Sequence, residues 1–548
     1  MSHARFSGNR TSGLRADLLL TNARVRTLGG PDHDLVASSV AVLHGRVVAL
    51  ENVPAHRVID LDGAVVVPGF HDAHNHMAWY GLSLAEVDLR LPSLDHVYAA
   101  VAERAAALPP DAWVVGAGYD ENKLGGHPDR DALDRAAGGR RVWLKHASGH
   151  MCVVSSAVLA DLGIAEAAVE VPGGLVVTDP AGRPTGLLQE TAQSLLSRLV
   201  LPYPVATLVD AIERAGRAYL AEGITSVVEA GVGGGWIGKS PVEVAAYQAA
   251  RDAGRLPVRV ELMVAADVLH PLAAHDEDGL TAGLDLGIRT GLGDDRLRIG
   301  PVKVFSDGSL IGHTCALSED FADTPGSRGY LQDDAGALRA RILDAHRSGW
   351  RVAAHAIGDA AIDLVLDSYD EAQRRWPRPD VRHRVEHFGV ARPDQVARAA
   401  ALGVVPVPQG RFVGEIGDGM LRALGPGRAG WAYRGRSLLD AGIVVPASSD
   451  RPVVDGRPLL GIHDLVNRTT EGGQPLGREE AMTGLEALTA YTLGSAYASH
   501  QEHDRGQVLP GRLADLAVLS EDPATVEPSR IRDIEVLRTV LGGEVVHG

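Results

Sequence analysis

The sequence has little cysteine, a deficit of positive charge and no long apolar run. Its two cysteines, Cys152 and Cys315, are too few for a disulfide framework and typical of a reducing compartment. The 53 basic and 70 acidic residues give a formal net charge of −17, which disfavours general binding to nucleic acid or anionic membranes. No run approaches the roughly 20 apolar residues of a transmembrane helix, and the segment ending at Leu20 lacks a signal-peptide core. We therefore expect a cytoplasmic protein that acts on a small molecule, without nucleic-acid or membrane partners.

Low-complexity tracts and short repeats are also missing, which excludes solenoids and coiled coils. What is present is an ordinary globular composition, with 45% hydrophobic and 22% charged residues. Short β-branched runs alternate with amphipathic helical stretches, a pattern typical of parallel βαβ units. The predicted strands are Gly223–Ala230, Pro257–Ala265, Leu297–Phe305, Trp350–His355, Arg382–His387, Gly403–Pro408 and Gly442–Ala447. Adding Ala64–Phe70 at the front gives eight strands and predicts an α/β fold, a TIM (β/α)8 barrel.

Two regions do not fit regular βα units. Residues 77–220 are far too many for one connection, so we predict a structured insertion after barrel strand 1. That region contains a predicted helix, Leu94–Leu108, and predicted strands Trp113–Gly116 and Val142–Lys145. Residues 1–63 and 503–548 read as short strands with tight turns. We predict that these two ends form one composite β-sandwich domain, and that residues 64–502 form a distorted barrel.

Metal-ligating residue types stand where four of the predicted barrel strands end. His74 and His76 are two residues apart, so their side chains project the same way from an extended chain. His355 and His387 end two further strands, and Asp450 follows the last one. Any one of these residues alone is more often a polar strand cap. In a barrel, however, these strand ends converge on the catalytic face, and imidazole and carboxylate suit Zn²⁺ and similar ions.

Lysine is rare, which makes Lys303 informative. The chain has four lysines, at positions 123, 145, 239 and 303, and Lys303 lies within an apolar strand where a cation is costly. Burial lowers the pKa of an amine, which can then be neutral and nucleophilic. Such an amine can capture CO₂ as a carbamate, a carboxylate-like group able to bridge two metal ions. The alternative is an ion pair with a nearby carboxylate such as Asp307.

Together these motifs resemble the metal-dependent amidohydrolase superfamily, in its amidohydrolase family 3 branch, which includes N-substituted formamide deformylases. The matching segments are PGFHDAHNH (68–76), GPVKVFSDGSL (300–310), HAIGD (355–359), HRVEH (383–387), SSD (448–450) and DRGQVLPGRLADLAVL (504–519). The resemblance spans essentially the whole chain. It implies a distorted TIM barrel, a composite sandwich domain and a long insertion after the first strand, and it leads us to expect a homodimer.

The resemblance also implies a pair of divalent metal ions, with Zn²⁺ the first candidate. Six residues would bind them: His74, His76 and Asp450 one ion, His355 and His387 the other, and carbamylated Lys303 both. A mononuclear site would follow if Lys303 is unmodified. Asp450 would be the catalytic acid–base, taking a proton from the nucleophile and passing it to the leaving amine.

The implied reaction is hydrolysis of a C–N amide-type bond in an N-substituted formamide or another small amide. An ester, a urea-like compound or a cyclic amide is the alternative substrate. Four residues are predicted to contact the substrate: His150, Asp307, His313 and Arg411. His150 fits a histidine that the family often places in the insertion. Basic residues near the site, including His313 and Arg411, favour a substrate that carries a carboxylate.

Two other classes of function remain open. Gly233–Ser240 matches G-x-x-x-x-G-K-[ST] and follows a predicted strand, which favours a nucleotide-binding protein. Against this, Pro241 follows Ser240 directly, and the barrel prediction makes this segment the loop after the second strand. A catalytically inactive barrel is the other alternative, although it would have no use for six intact ligands. Metal analysis separates the classes, since only the hydrolase requires bound ions.

Overall fold

The computed structural model describes residues 15–30, 36–146, 151–171, 174–234 and 237–548. The chain divides into two compact units, one made of the described residues up to Ala78 together with Ile212–Gly548, the other of Trp79–Ala211. No single helix within the described ranges is long and apolar enough to cross a membrane. One pair of helical segments, Thr191–Val200 and Val205–Ala221, meets that test only when joined across a bend of 109°.

Seven parallel strands form the main sheet of the first unit, a nearly closed barrel in which they follow one another in chain order. The strands are β1 (Phe70–Asn75), β2 (Ile224–Val232), β3 (Arg259–Ala265), β4 (Leu297–Phe305), β5 (Val352–Ala356), β6 (Arg384–His387) and β7 (Val405–Val407). Every residue of β2 and β3 is buried. Continuous burial is expected for parallel strands that are covered on both faces.

The predicted eighth strand, Gly442–Ala447, is not a regular strand. The barrel is closed instead by an irregular segment, in which the Ala447 carbonyl accepts from Ala73 N at 3.1 Å and Asp450 N donates to the His74 carbonyl at 2.8 Å. Pro446 lacks an N–H and so cannot support a regular ladder. The backbone of Asp450 is also left-handed, with φ of +60°.

The predicted first strand, Ala64–Phe70, divides at Gly69. Val65–Pro68 pairs with Leu516–Leu519 and Arg24–Arg26 outside the barrel, whereas β1 begins at Phe70. A side chain at Gly69 would bring its Cβ within 2.3 Å of Thr225 Oγ1. Glycine thus permits the close approach to β2 at the point where the chain passes from one sheet into the other.

Strands from both ends of the chain form one further sheet. Its six strands, in spatial order, are Glu544–His547, Val536–Leu541, Leu516–Leu519, Val65–Pro68, Arg24–Arg26 and Val36–Ala37. A sheet of four strands lies beside it, ordered Arg46–Ala49, Val40–Leu43, Ala16–Thr21 and Ala55–Asp60. Leu18, Val42, Val66 and Val518 belong to one hydrophobic core that both sheets share.

Helices connect the barrel strands and cover them. The α-helices assigned to this unit or crossing its boundary are Met77–Ser83, Val205–Ala221, Glu243–Asp252, Ala335–Arg347, Asp359–Arg375, Pro393–Leu402, Gly410–Glu415, Gly417–Leu424, Arg436–Asp440, Pro458–Asn467, Gly484–Thr489 and Ser495–Ala498. Helix Pro393–Leu402 has ends that its sequence explains, because proline suits the first turn and Gly403, with φ of +62°, ends the helix in a left-handed conformation.

The second unit has a mixed six-stranded sheet of its own. In spatial order its strands are Gly174–Thr178, Pro184–Glu190, Met151–Val154, Val142–His146, Val114–Tyr119 and Val87–Asp88. Its α-helices are Leu94–Ala107, Glu121–Leu124, Arg130–Ala137, Ser156–Asp161 and Ser194–Val200. The predicted helix and strands of this region are therefore present with small shifts at their ends.

Candidate metal centre

Three of the predicted ligands form a compact donor group at the carboxyl end of the barrel. His74 Nε2 lies 3.4 Å, and His76 Nε2 3.1 Å, from Asp450 Oδ1. One ligand atom from each residue falls within 4.8 Å of the other two, and all three residues are buried. Two imidazoles and a carboxylate at this spacing can hold one divalent ion.

Asp450 is charged in this environment although it is buried. Burial alone would raise the pKa of its carboxyl, but hydrogen bonds from His74 and His76 hold that pKa well below its usual range. A deprotonated carboxylate is the form that binds metal.

The second predicted pair, His355 and His387, lies beside the first group. Their ring centroids are 4.4 Å apart, and the His387 ring lies 5.0 Å from that of His74. Burial lowers the pKa of His355 well below its usual value and that of His387 to about 3. Both imidazoles are therefore neutral at physiological pH, as metal ligands must be.

Hydrogen bonds select which ring nitrogen of each histidine can face an ion. His387 Nδ1 contacts Gln409 Oε1 at 2.7 Å, which leaves Nε2 available. His355 is turned the other way, because its Nε2 donates to the Gly308 carbonyl at 3.0 Å. Among the described residues, buried His355 Nδ1 has no hydrogen-bond partner. An orphaned buried nitrogen is costly, so the residues present fit a bound metal ion.

Lys303 is buried in β4 with 1% of its surface exposed. Its Nζ lies 4.8 Å from the centre of the Phe305 ring. Burial lowers the pKa of this amine to about 8, although the charges of Glu386 and Asp450 act in the opposite direction. Neutral amine is therefore accessible near physiological pH, as carbamylation requires.

Two buried residues that position ligands were not predicted from the sequence. Glu386 contacts Nδ1 of His74, and Arg384 binds Glu386 through contacts of 2.7 and 2.9 Å. Burial would raise the pKa of Glu386, but Arg384 and His74 keep it well below its usual range. The alternation of Arg384 and Glu386 within HRVEH was a usable signal, since both project from the same side of β6.

Gln409 is a third residue that was not predicted. Its amide nitrogen donates to the Val407 carbonyl and to Ser448 Oγ, each at 2.9 Å, so its oxygen faces His387. Nothing in the local sequence distinguished this glutamine from an ordinary strand-end residue.

The predicted substrate residues are spread among different environments. Asp307 is buried, and its carboxylate accepts backbone N–H bonds from Ala316, Ile357 and Gly358. His313 pairs with Asp323 at 2.8 Å. Their contact with substrate stays a prediction, and His150 lies outside the described residues.

Arg411, the remaining predicted substrate residue, is held by three acidic side chains. Its guanidinium lies 2.7 Å from Asp464, 3.2 Å from Glu415 and 3.5 Å from Glu471. These ion pairs offset the positive charge of Arg411, on which the prediction of a substrate with a carboxylate relied. Arg451, another basic residue near the site, is likewise paired with Glu222 at 2.7 Å.

A glutamate side chain of the protein itself accepts hydrogen bonds from the backbone of the glycine-rich loop. Glu243 accepts N–H bonds from Gly233 at 3.2 Å and from Lys239 at 2.8 Å. Backbone amides of this kind are what a phosphate-binding loop presents to its nucleotide. Their use by Glu243 gives the nucleotide-binding alternative no structural support.

Comparison with known proteins identifies the family of this chain. Residues 57–547 match the amidohydrolase family. The chain belongs to that family. The N-substituted formamide deformylase of Arthrobacter pascens is 31% identical over 564 residues, covering 96% of this chain and 97% of the relative. The Bacillus subtilis protein YtcJ is 32% identical over 502 residues, covering 90% and 91%.

A solved structure extends the likeness to the whole fold. An uncharacterized metal-dependent hydrolase from Pyrococcus horikoshii superposes with a TM-score of 0.75 at 26% identity, covering 93% of this chain and 99% of that structure. The amidohydrolase family and its metal-dependent structural neighbours identify this chain as a hydrolase.

Proposed function

We propose that this amidohydrolase cleaves the C–N bond of a small amide, with an N-substituted formamide as the leading substrate class. The observation that carries the proposal is the buried group of His74, His76 and Asp450, with two neutral histidines beside it. The formamide deformylase, at 31% identity along nearly its full length, supports the choice of substrate.

Two divalent ions, most simply Zn²⁺, would be held by the six side chains. His74, His76 and Asp450 would bind one ion through Nε2, Nε2 and a carboxylate oxygen. His387 Nε2 and the orphaned Nδ1 of His355 would bind the other. Divalent ions in such a site lower the pKa of water and polarise a carbonyl oxygen.

Lys303 would supply a ligand common to both ions after reaction with CO₂. The neutral amine attacks the carbon of CO₂ and forms an N–C bond, and the nitrogen releases one proton. The product is a carbamate with one negative charge. Its formation requires the deprotonated amine that burial favours at this position.

Asp450 would move the proton that hydrolysis requires. Its carboxylate, which lies beside His74 and His76, would accept a proton from the attacking water. It would then donate that proton to the amine nitrogen as the C–N bond breaks. The products are a carboxylic acid, formate in the formamide case, and a free amine.

The test is a substrate screen on protein stripped of metal and then reloaded with Zn²⁺ in bicarbonate buffer. Matched N-substituted formamides, larger amides, esters, ureas and cyclic amides are compared by kcat/KM. The proposal expects formamides or small amides to lead, and no turnover without metal. Hydrolysis of esters alone, or equal rates with and without metal, would overturn it.

A further inference from the structure

A second group of metal-ligating side chains lies in the unit formed by Trp79–Ala211. Strands Val114–Tyr119 and Val142–His146 run parallel, and Tyr119 lies opposite His146 in their register. Asp120 and Glu121 follow Tyr119 directly. Carboxyl ends of parallel strands are where side chains from separate segments converge, so the topology brings His146 to the two carboxylates.

The distances within this group suit a shared cation. One ligand atom each from Asp120, Glu121 and His146 lies within 4.8 Å of the other two. His146 Nε2 is 2.5 Å from Glu121 Oε2. The His146 side chain is only 8% exposed and that of Glu121 26%, so the group is partly shielded from solvent.

A second imidazole stands next to this group. His127 Nδ1 lies 3.3 Å from the Tyr119 hydroxyl, and the His127 ring centre is 6.4 Å from that of His146. His127 comes from a third stretch of chain, after helix Glu121–Leu124. Imidazole and carboxylate donors from separate segments are the composition of transition-metal sites.

Two lysines lie near this group among the described residues. Lys145 is engaged elsewhere, with Nζ 2.5 Å from Glu86 Oε1 and 4.4 Å from the centre of the Trp143 ring. Lys123 Nζ approaches Asp120 at 3.7 Å, but its side chain is 81% exposed. A long exposed lysine can turn into solvent when another cation binds.

We propose that Asp120, Glu121 and His146 bind a divalent transition-metal ion, with His127 as the nearest additional ligand among the described residues. The donor set favours Zn²⁺, Co²⁺ or Mn²⁺ over Ca²⁺, which prefers oxygen ligands alone. The ion would join the turn after strand Val114–Tyr119 to the end of strand Val142–His146.

The experiment counts metal ions in the full-length protein after equilibration with buffered Zn²⁺ and gel filtration. Glu121→Gln/His146→Gln is compared with the wild type. Asp95→Asn/His96→Gln, which removes one carboxylate and one imidazole from exposed positions of the same unit, is the control. The proposal expects the first variant to lose one ion per chain and the control to lose none. This difference does not depend on how many ions the barrel holds.

A second measurement uses the barrel variant His74→Asn/His76→Asn/His355→Asn/His387→Asn, titrated with Co²⁺ and followed by visible absorption. One Co²⁺ per chain should still bind, and Glu121→Gln/His146→Gln added to this background should abolish that binding. Equal zinc content in the wild type and in Glu121→Gln/His146→Gln would overturn the proposal. If Glu121→Gln/His146→Gln misfolds, its zinc content cannot be compared with that of the wild type. In that case a folded barrel variant that binds no Co²⁺ would overturn the proposal. Loss of amide hydrolysis in the barrel variant concerns only the proposed function.

Discussion

The two halves of the barrel centre differ in the charge that surrounds their histidines. His74 and His76 share the carboxylate of Asp450, and Nδ1 of His74 contacts the Glu386 carboxylate. Nδ1 of His76 lies 3.6 Å from the Glu229 carboxylate. We call this half the carboxylate-rich position.

The other half, which we call the neutral position, consists of His355 and His387. The groups that orient these rings are uncharged, a carbonyl at Gly308 and an amide at Gln409. Asp307 Oδ1 lies 3.4 Å from His355 Nε2, but burial raises the pKa of Asp307 to about 7, so this carboxyl is only partly ionised at neutral pH. An ion at the neutral position therefore depends on charge from elsewhere, and carbamylated Lys303 would supply it. We expect the carboxylate-rich position to bind its ion more tightly.

The largest expected effect comes from Asp450→Asn. It removes the carboxylate of the tighter position and the proposed proton carrier, so kcat/KM should fall about 1,000-fold or more. Metal analysis should also show loss of an ion. Asp515→Asn is the control, because Asp515 is buried and paired with Arg259 at 2.7 Å outside the donor group. Retention of both metal content and kcat in Asp450→Asn would contradict the assignment.

The next effect tests the neutral position alone. Lys303→Ala should release the weaker ion while the tighter one remains, and activity should fall about 100-fold, since an ion supplies several kcal/mol of charge stabilisation. Added acetate or propionate should restore part of the activity by entering the space left by the side chain. Unchanged metal content, with no bicarbonate dependence in the wild type, would exclude a bridging carbamate.

Glu386→Gln should act on the carboxylate-rich position without removing a ligand. The change weakens the acceptor at His74 Nδ1, so affinity for the tighter ion should fall about 10- to 100-fold in a competition titration with a chelator. Glu261→Gln is the matched control, because it breaks a buried pair with Arg351 at 2.5 Å. Equal losses of metal affinity in the two variants would mean that Glu386 acts only through stability.

The smallest effect is expected from Gln409→Ala at the neutral position. Loss of the Gln409 side chain frees the His387 ring to rotate. Affinity for the weaker ion should therefore fall about 10-fold, with affinity for the tighter ion unchanged. Exposed Gln474→Ala serves as the control in the same titration. A change at the carboxylate-rich position instead would show that the two halves are not separable.

Prediction from the sequence was easiest where a residue carries its own signal. His74 and His76 share a short motif, and Lys303 is conspicuous as one of four lysines within an apolar strand. His355, His387 and Asp450 gain their meaning from the barrel, which alternating strands and helices predict. The donor group at His74, His76 and Asp450 agrees with that reasoning.

The features that the sequence did not predict depend on contacts between distant segments of the chain. Whether His355 presents Nδ1 or Nε2 is decided by Gly308, and Gln409 becomes meaningful only when β6 and β7 lie side by side. The division of the predicted first strand at Gly69 depends on its approach to Thr225. Local periodicity contains no information about such approaches, because an apolar run reads the same in a barrel and in a neighbouring sheet.

Anomalous diffraction at the zinc edge, from crystals grown with Zn²⁺ and bicarbonate, tests the central claim most directly. The account predicts two peaks about 3.5–4 Å apart, with the stronger among His74, His76 and Asp450 and the weaker beside His355 and His387. Continuous electron density beyond Lys303 Nζ should reach both peaks. A single peak at the neutral position, or no peak within reach of these six side chains, would contradict it.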